Sequence, residues 1–459
     1  MNSATRSILR RGAVLGLLLA LACHKGGGSG EGDSTTAATT TTSGSSSAGT
    51  SSTGSCAVPE LGCPCGPGMA CIGDLVCEAG VCAPPQAGSS SSSSSSSSGG
   101  DSTTGGPARC GDGVASPGEL CFGVPQLLLM GASPSDIVLA NLDGDPALDL
   151  ASCNSGANQV ALRPGDGAGS FGARTTVDTG PAPWNLGVGD FDDDGHLDLV
   201  TVNGGGTSIT WLRGASNGSL TSGGDFGIGM APQQLAIADF GTDGRDDIVV
   251  SNGADANVGV LLADPAPFAA MTTFGAGLAP RGLALALISD DDDLDLLVAN
   301  SGSNTIGLLL GNGQGQFGAA ASFPVGNEPR AVAGGDVNGD GLGDAVTAEG
   351  SGGITRLLGN GLGSFGAALP FANASSPNDL ALADLDLDGD LDLVVASGGD
   401  ATLRVLVNDG GGDFDEVAQF VTGATPFAVA VADLDEDGLL DLVAANAGSD
   451  TVTIVLTSA

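Results

Sequence analysis

Seven short acidic segments, spaced 48 or 49 residues apart, constrain this chain more than any other feature. The fullest copy is Asp190-Phe-Asp-Asp-Asp-Gly-His-Leu-Asp198, with carboxylates at positions one, three, five and nine: Asp190, Asp192, Asp194 and Asp198. The pattern returns as Asp384, Asp386, Asp388, Asp392 and as Asp433, Asp435, Asp437, Asp441. With one Asn it occurs as Asn141, Asp143, Asp145, Asp149 and as Asp336, Asn338, Asp340, Asp344. Two copies are eroded. One keeps Asp239, Asp243 and Asp247 around Gly241; the other has Leu287 and Ser289 in place of acids and retains Asp291 and Asp295. A fixed period of this length marks a repeat architecture, in which one supersecondary unit is copied and stacked.

Each period has the same internal order. A proline stands seven residues before the acidic segment: Pro134, Pro183, Pro232, Pro280, Pro329, Pro377 and Pro426. An alternating apolar run such as Leu380–Ala383 connects the two, with a small residue always last, which predicts a strand packed where strands crowd around an axis. A second apolar run follows the acids, then a third such as Thr305–Leu310, a Gly-rich turn and a fourth strand. Four short strands per period predict a propeller blade. The phase of the repeat predicts how the ring closes. Phe122, Phe171, Leu220, Phe268, Phe317, Phe365 and Phe414 lie 19 residues before successive segments, and the first precedes them all. The chain ends on a third strand, 452–456, so residues 122–131 are expected to supply the missing fourth strand of the last blade. The expected fold is all-β: a seven-bladed β-propeller of four-stranded blades with an N-terminal strand closing the last one. An open β-solenoid is the alternative, and it would leave an unpaired edge.

The N-terminal quarter has a different composition. Arg6, Arg10 and Arg11 precede an apolar run, so residues 1–22 are expected to be a signal peptide. Ala20-Leu21-Ala22-Cys23 resembles a bacterial lipoprotein processing site, which implies lipidation of Cys23; Ala20-x-Ala22 also suits ordinary signal peptidase. Residues 23–55 are a Gly/Ser/Thr-rich tether and 83–109 a Ser-rich linker, both expected to be disordered. Between them Cys56, Cys63, Cys65, Cys71, Cys77 and Cys82 predict a small disulfide module at 56–82, with connectivity open and zinc the alternative. Residues 110–121 resemble a Cys-Gly-x-Gly…Gly-Glu-x-Cys motif of bacterial secreted proteins, which implies pairing of Cys110 with Cys121. Cys153 is left over and occupies an apolar position of the repeat, so a buried thiol is expected. Export predicts a cell-surface or outer-membrane lipoprotein, with simple secretion as the alternative.

The Phe-Gly pairs (Phe171-Gly172, Phe317-Gly318, Phe365-Gly366), the Gly…Pro loops such as Gly277–Pro280, and the Asp-x-Asp-x-Asp-Gly-x-x-Asp segments together resemble FG-GAP repeats. That family builds the seven-bladed propeller of integrin α subunits and of many bacterial surface proteins, and the resemblance covers residues 122–459. It implies metal sites between the first and second strands that rigidify the blades without performing chemistry.

The residues themselves point to Ca²⁺. Carboxylates at alternate positions of a tight loop offer convergent hard oxygens, and Gly at position six permits the bend. All-oxygen ligation disfavours zinc and copper, while Mg²⁺ demands stricter geometry. Pro146 replaces that Gly in the first copy, and the copies at Asp239 and Asp291 are expected to bind less well or not at all. With 53 acidic against 13 basic residues, nucleic acid is not an expected partner, and a membrane is expected only through a lipid anchor. Of two histidines, His24 lies in the tether and His196 inside an acidic segment, and there is no Tyr. No nucleophile–base constellation is therefore legible, and an enzyme is not expected. Binding is expected where the blades converge, at the residues following the prolines: Ser135, Trp184, Gln233, Arg281, Arg330, Asn378 and Phe427. Trp184, Arg281, Arg330 and Phe427 are the candidates for holding an anionic or glycan ligand, although variable loop residues would read the same way. The expected function is surface recognition or adhesion by a monomer, toward protein or glycan. A structural cell-envelope scaffold is the alternative, and an extracellular hydrolase or lyase the third reading.

Overall fold

The computed structural model describes residues 120–458 except 242 and 264–266, together with two short strands, Val76–Glu78 and Val81–Ala83. The chain divides into two compact units, Gly26–Gly105 and the combination of Met1–Lys25 with Gly106–Ala459. In the first, the two short strands form an antiparallel hairpin whose register sets Cys77 opposite Cys82. The expectations for residues 1–75, for most of the 83–109 linker and for Cys110 lie outside the described residues.

The second unit contains seven four-stranded antiparallel sheets. Blade 1 is built from Pro134–Ala140, Asp149–Asn154, Gln159–Arg163 and Thr175–Asp178, and blades 2 to 6 repeat it in order. Every inner strand begins at one of the seven in-phase prolines and ends one residue before an acidic segment; every second strand begins at the ninth-position aspartate. Blade 7 takes Pro426–Ala432, Asp441–Asn446 and Thr451–Val455 from the C-terminus and Gln126–Leu129 from the N-terminal side. Leu128 pairs with Val452 there, and a second short pairing sets Phe122 opposite Thr457. The closure expected from the repeat phase is thus present, and it extends one residue further than expected, because Cys121 pairs with Ser458.

No single core fills this ring. Seven apolar clusters each lie between two neighbouring blades, such as Ile137, Leu139 and Leu150 of blade 1 against Ala432, Val443 and Val452 of blade 7. Both faces of each second strand are covered by neighbouring blades, which is why these strands are buried along their whole length and lack alternation. Cys153 sits on one of them as a free, fully buried thiol. The small residues of the inner strands are required by the same crowding. A Cβ on Gly187 would collide with Leu235 and Ile237 of the next inner strand.

One feature carries no signature in residue type. The residue before each in-phase proline (Ser133, Ala182, Ala231, Ala279, Glu328, Ser376, Thr425) has φ between 47° and 54°, and none is glycine. Left-handed backbone at a non-glycine position costs about 1–3 kcal/mol. The strain recurs where each chain crossing enters an inner strand, at one end of the ring.

Candidate functional site: acidic loops and axial mouth

Because each inner strand runs from its proline to its acidic segment, the prolines gather at one end of the ring and the acids at the other. A seven-residue strand separates the two by roughly 20 Å.

At the acidic end the nine positions have two different jobs. The ninth aspartate is a hydrogen-bond hub. Asp392 accepts from the backbone N–H of Leu385 through Oδ2 and of Asn408 through Oδ1, both at 2.9 Å. Asp149, Asp198, Asp344 and Asp441 do the same in their blades. So do the eroded copies: Asp247 accepts from Gly241 and Ala263, and Asp295 from Ile288, Ser289 and Gly311. This aspartate therefore ties the loop to the end of the third strand whether or not the other acids survive. Asp295→Ala would strand three backbone N–H groups and is expected to lower stability by about 3 kcal/mol. The loss should be equal in chelator and in calcium, measured by denaturant unfolding; an unchanged midpoint would remove the hub role.

The first and third positions, joined by the fifth in blade 2 and by the ninth in blades 6 and 7, point to a cation. Asp190, Asp192 and Asp194 bring carboxylate oxygens within 4.8 Å of one another, as do Asp384, Asp386 and Asp392, and Asp433, Asp435 and Asp441. Asp192 Oδ1, Asp384 Oδ1, Asp433 Oδ1 and Asp435 Oδ1 are buried without a hydrogen-bond partner. Burial, then the neighbouring Asp388, pushes Asp386 up to about 6; burial raises Asp392 and Asp441 to about 7. Crowded, orphaned hard oxygens with no sulfur or nitrogen among them fit a hard divalent cation. Among the described residues, the acids of blades 1, 3 and 5 do not gather in threes within that distance. Position six sets blade 1 apart in its backbone: Gly195, Gly244, Gly341, Gly389 and Gly438 take φ of 82–99° there, which the ring of Pro146 forbids. In blade 4 the Ser289 hydroxyl bridges Asp291 and Asp295 at 2.9 and 3.0 Å, doing with one proton what a cation would do elsewhere.

Sequence reasoning missed an internal counter-ion. Arg213, at the end of the third strand of blade 2, reaches Asp192 at 2.5 Å and Asp194 at 3.4 Å.

At the opposite end, all seven residues that follow the prolines line one cavity of about 50 Å³. Trp184 and Phe427 meet edge to face, centroids 5.0 Å apart, across blade 1, where the small, buried Ser135 leaves them room. Arg281 and Arg330 come from adjacent blades and repel each other. A second ring beneath was not anticipated. The residue two places after the proline caps a backbone N–H of the next blade: Asp136 accepts from Leu186 at 2.8 Å and from the Asn185 side chain at 2.5 Å. Asn185 then accepts from Leu235, Gln234 from Leu283, and Asp379 from Val429. The available signal was the polar character of that position in four periods against Gly282, Ala331 and Ala428 in the others.

Burial, and secondarily Asp379, pushes Asp136 up to about 8; burial alone raises Asp379 to about 6. Between the ordinary value of 3.8 and about 8 the folded protein holds a proton at Asp136 that the unfolded chain has released. Stability therefore falls as pH rises through that window. Asp136→Asn keeps an acceptor for Leu186 and removes this dependence. At saturating calcium the variant should match wild type near pH 4 and exceed it by a few kcal/mol at pH 9, since each tenfold change in proton affinity is worth about 1.4 kcal/mol. Parallel stability–pH curves would refute the assignment; Asp379 and the Cys153 thiol are the other ionisable groups facing Asp136.

Seven closed blades, each turning on an acidic loop, define a class: the β-propeller with a repeated loop between its first and second strands. The chain belongs to the FG-GAP-like repeat family. That repeat is matched at residues 141–201, 190–250, 288–347, 336–395 and 384–444, together more than half of the chain. No curated protein matches it. Among solved structures, BBS1N in complex with ARL6DN is similar, with a TM-score of 0.54 and 12% identity over 73% of this chain and 96% of that one. Kuenenia stuttgartiensis hydrazine synthase has a TM-score of 0.52 and 16% identity over 72% and 96%. A streptogramin B lyase has a TM-score of 0.50 and 15% identity over 73% and 98%. At these identities the likeness concerns the fold alone, and the neighbours include both enzymes and non-enzymes. A propeller of FG-GAP-like repeats fits a protein-binding or recognition role.

Proposed function

We propose that this is an exported recognition protein in which Ca²⁺ in the acidic loops stiffens the propeller and the axial mouth binds a surface protein or glycan. The observation that carries this is the convergence of seven non-equivalent side chains on one cavity, at the end of the ring opposite the acids. Repeats that otherwise obey one grammar diverge there into Ser, Trp, Gln, Arg, Arg, Asn and Phe, as expected where a site is grafted onto a scaffold. Binding is favoured over catalysis because His196, the one histidine among the described residues, lies in an acidic loop and not at the mouth. Lipidation at Cys23, the Cys110–Cys121 pairing and a monomeric state belong to the same proposal and rest on the sequence. Pull-down from cell-surface material with the full chain in calcium tests it. Arg281→Ala with Arg330→Ala should reduce retention at least ten-fold; undiminished retention would place recognition away from the mouth.

A further inference from the structure

Granted the recognition role proposed above, we infer that the axial mouth selects a carboxylate-bearing sugar, a pyranose acid of the uronic type, held by Arg281 and Arg330 and stacked on the Trp184–Phe427 pair.

The chain carries 53 acidic residues against 13 basic ones, so an arginine has carboxylates to choose from. Among the described residues the others take partners. Arg213, Arg356 and Arg404 pair with acids, Arg163, Arg174 and Arg245 donate to backbone carbonyls, and Arg330 lies 3.9 Å from Glu328. The Arg281 guanidinium makes no hydrogen bond or ion pair, although it is partly buried and faces a second guanidinium. Burial, then Arg330, lowers its proton affinity, the mark of a cation awaiting a counter-charge.

Arg330 is held in place to help. Its Nη1 donates to Ser376 Oγ and Asn378 Oδ1, both at 2.9 Å, and Asn378 is itself fixed by donating to the Pro426 carbonyl. The guanidinium lies over Gly350, where a Cβ would come within 2.6 Å of Nε. That Nε is buried and has no partner. Glu328 lies 3.9 Å from Arg330 and raises the proton affinity of Arg281, but its side chain is mostly in solvent, so it offsets the two positive charges only in part. Two planar cations with unused donors suit a carboxylate, which accepts from both.

The remaining lining sets the rest of the ligand. The cavity of about 50 Å³ admits one small charged group and a few waters, not an extended polyanion. Asp379, which also lines the cavity and is ionised at neutral pH, disfavours a dianion such as phosphate more than a single carboxylate. The edge-to-face aromatic pair offers an apolar surface for the C–H face of a pyranose. Gln233 and Asn378 supply amides at the rim for hydroxyl groups. An acidic peptide side chain would use the arginines and leave the aromatics idle.

The chain has two tryptophans, and Trp211 is buried between blades, so a fluorescence titration of the calcium-loaded full chain reports on Trp184. Glucuronate should give a saturable change that its methyl ester, glucose, acetate and sulfate do not match. Arg281→Ala should weaken the response at least ten-fold and melt no lower than wild type, since that guanidinium bonds to nothing in the fold. Gly350→Ala, which leaves every charge in place but displaces Arg330, should weaken it as well. An equal response to the methyl ester, to acetate or to sulfate, a tighter response to an Asp-rich peptide, or an unchanged Arg281→Ala titration would each overturn the sugar assignment. If the pull-down partner is still lost on mutating both arginines, the mouth is the recognition site and only the ligand class is wrong. If no partner is retained by wild type, the recognition role itself fails.

Discussion

Deleting residues 120–131 is expected to abolish cooperative folding of the propeller, although these residues lie more than 300 positions from the strand they pair with. Gln126–Leu129 forms the outer strand of blade 7 against Thr451–Ile454, and Gly123 donates to the Leu456 carbonyl at 2.7 Å. The joint is clamped from both sides. The Asp450 carbonyl accepts from Met130, and its carboxylate accepts from Ser133 at 2.9 Å. Arg163 of blade 1 donates to the Leu129 carbonyl and Arg174 to that of Met130. Met130 is fully buried in the cluster shared by blades 7 and 1, and the Phe122 ring packs on Phe420 with centroids 5.0 Å apart. Burial of Met130 and Phe122 contributes roughly 2–3 kcal/mol each, and the half-dozen lost hydrogen bonds about 1 kcal/mol each. The total, on the order of 10 kcal/mol, matches the whole stability of a typical domain. Circular dichroism of the deletion variant should therefore show no cooperative melt. A melt within a few degrees of wild type would mean that the ring does not depend on its closure. Met130→Ala, which leaves the strand in place, should cost about 2–5 kcal/mol.

Much of this architecture was legible because it depends on period and phase. The spacing placed each inner strand between its proline and its acidic segment, as in Leu380–Ala383; the observed strands start three residues earlier, at the proline itself, as in Pro377–Ala383. The offset of Phe122 from the first acidic segment located the closing strand. What escaped was whatever depends on contact between neighbouring periods. Arg213 entering its own acidic loop, Asp136 reaching across to Leu186 and Arg330 lying on Gly350 are side-chain directions, which spacing does not encode. The ninth aspartate taught the same lesson differently. Its type suits both a metal ligand and a backbone acceptor, and only its persistence in the metal-poor loop of blade 4, with its oxygens already filled by N–H groups, separates the two jobs. The left-handed residues before the prolines were illegible for a physical reason: ordinary residue types are held there by the ring around them rather than by their own preferences.

In the proposed reading the two ends of the ring divide the labour: inner strands connect a mouth rich in unlike residues to a rim of like ones, so a cation at the rim would harden the scaffold without touching a ligand at the mouth. If three loops are occupied, the expected gain is large. Extracellular oxygen sites bind Ca²⁺ at about 10⁻⁴–10⁻³ M, and a site held at about 100 times its Kd adds roughly 2.7 kcal/mol to stability. The clusters at Asp190, Asp384 and Asp433 would together supply about 4–8 kcal/mol in roughly 10 mM calcium. For a domain of this size that is a rise in Tm of roughly 6–11 °C. Magnesium, which gives up its waters reluctantly, should do less.

The most direct measurement is the thermal melt of the full chain in chelator, in magnesium and in calcium at one ionic strength. Calcium should raise Tm by roughly 6–11 °C over chelator, with magnesium well short of it and the effect reduced by Asp384→Asn or Asp433→Asn, which remove orphaned oxygens. Identical melting in all three conditions would contradict the account, because the gathered carboxylates would then stand in the fold without the cation proposed for them.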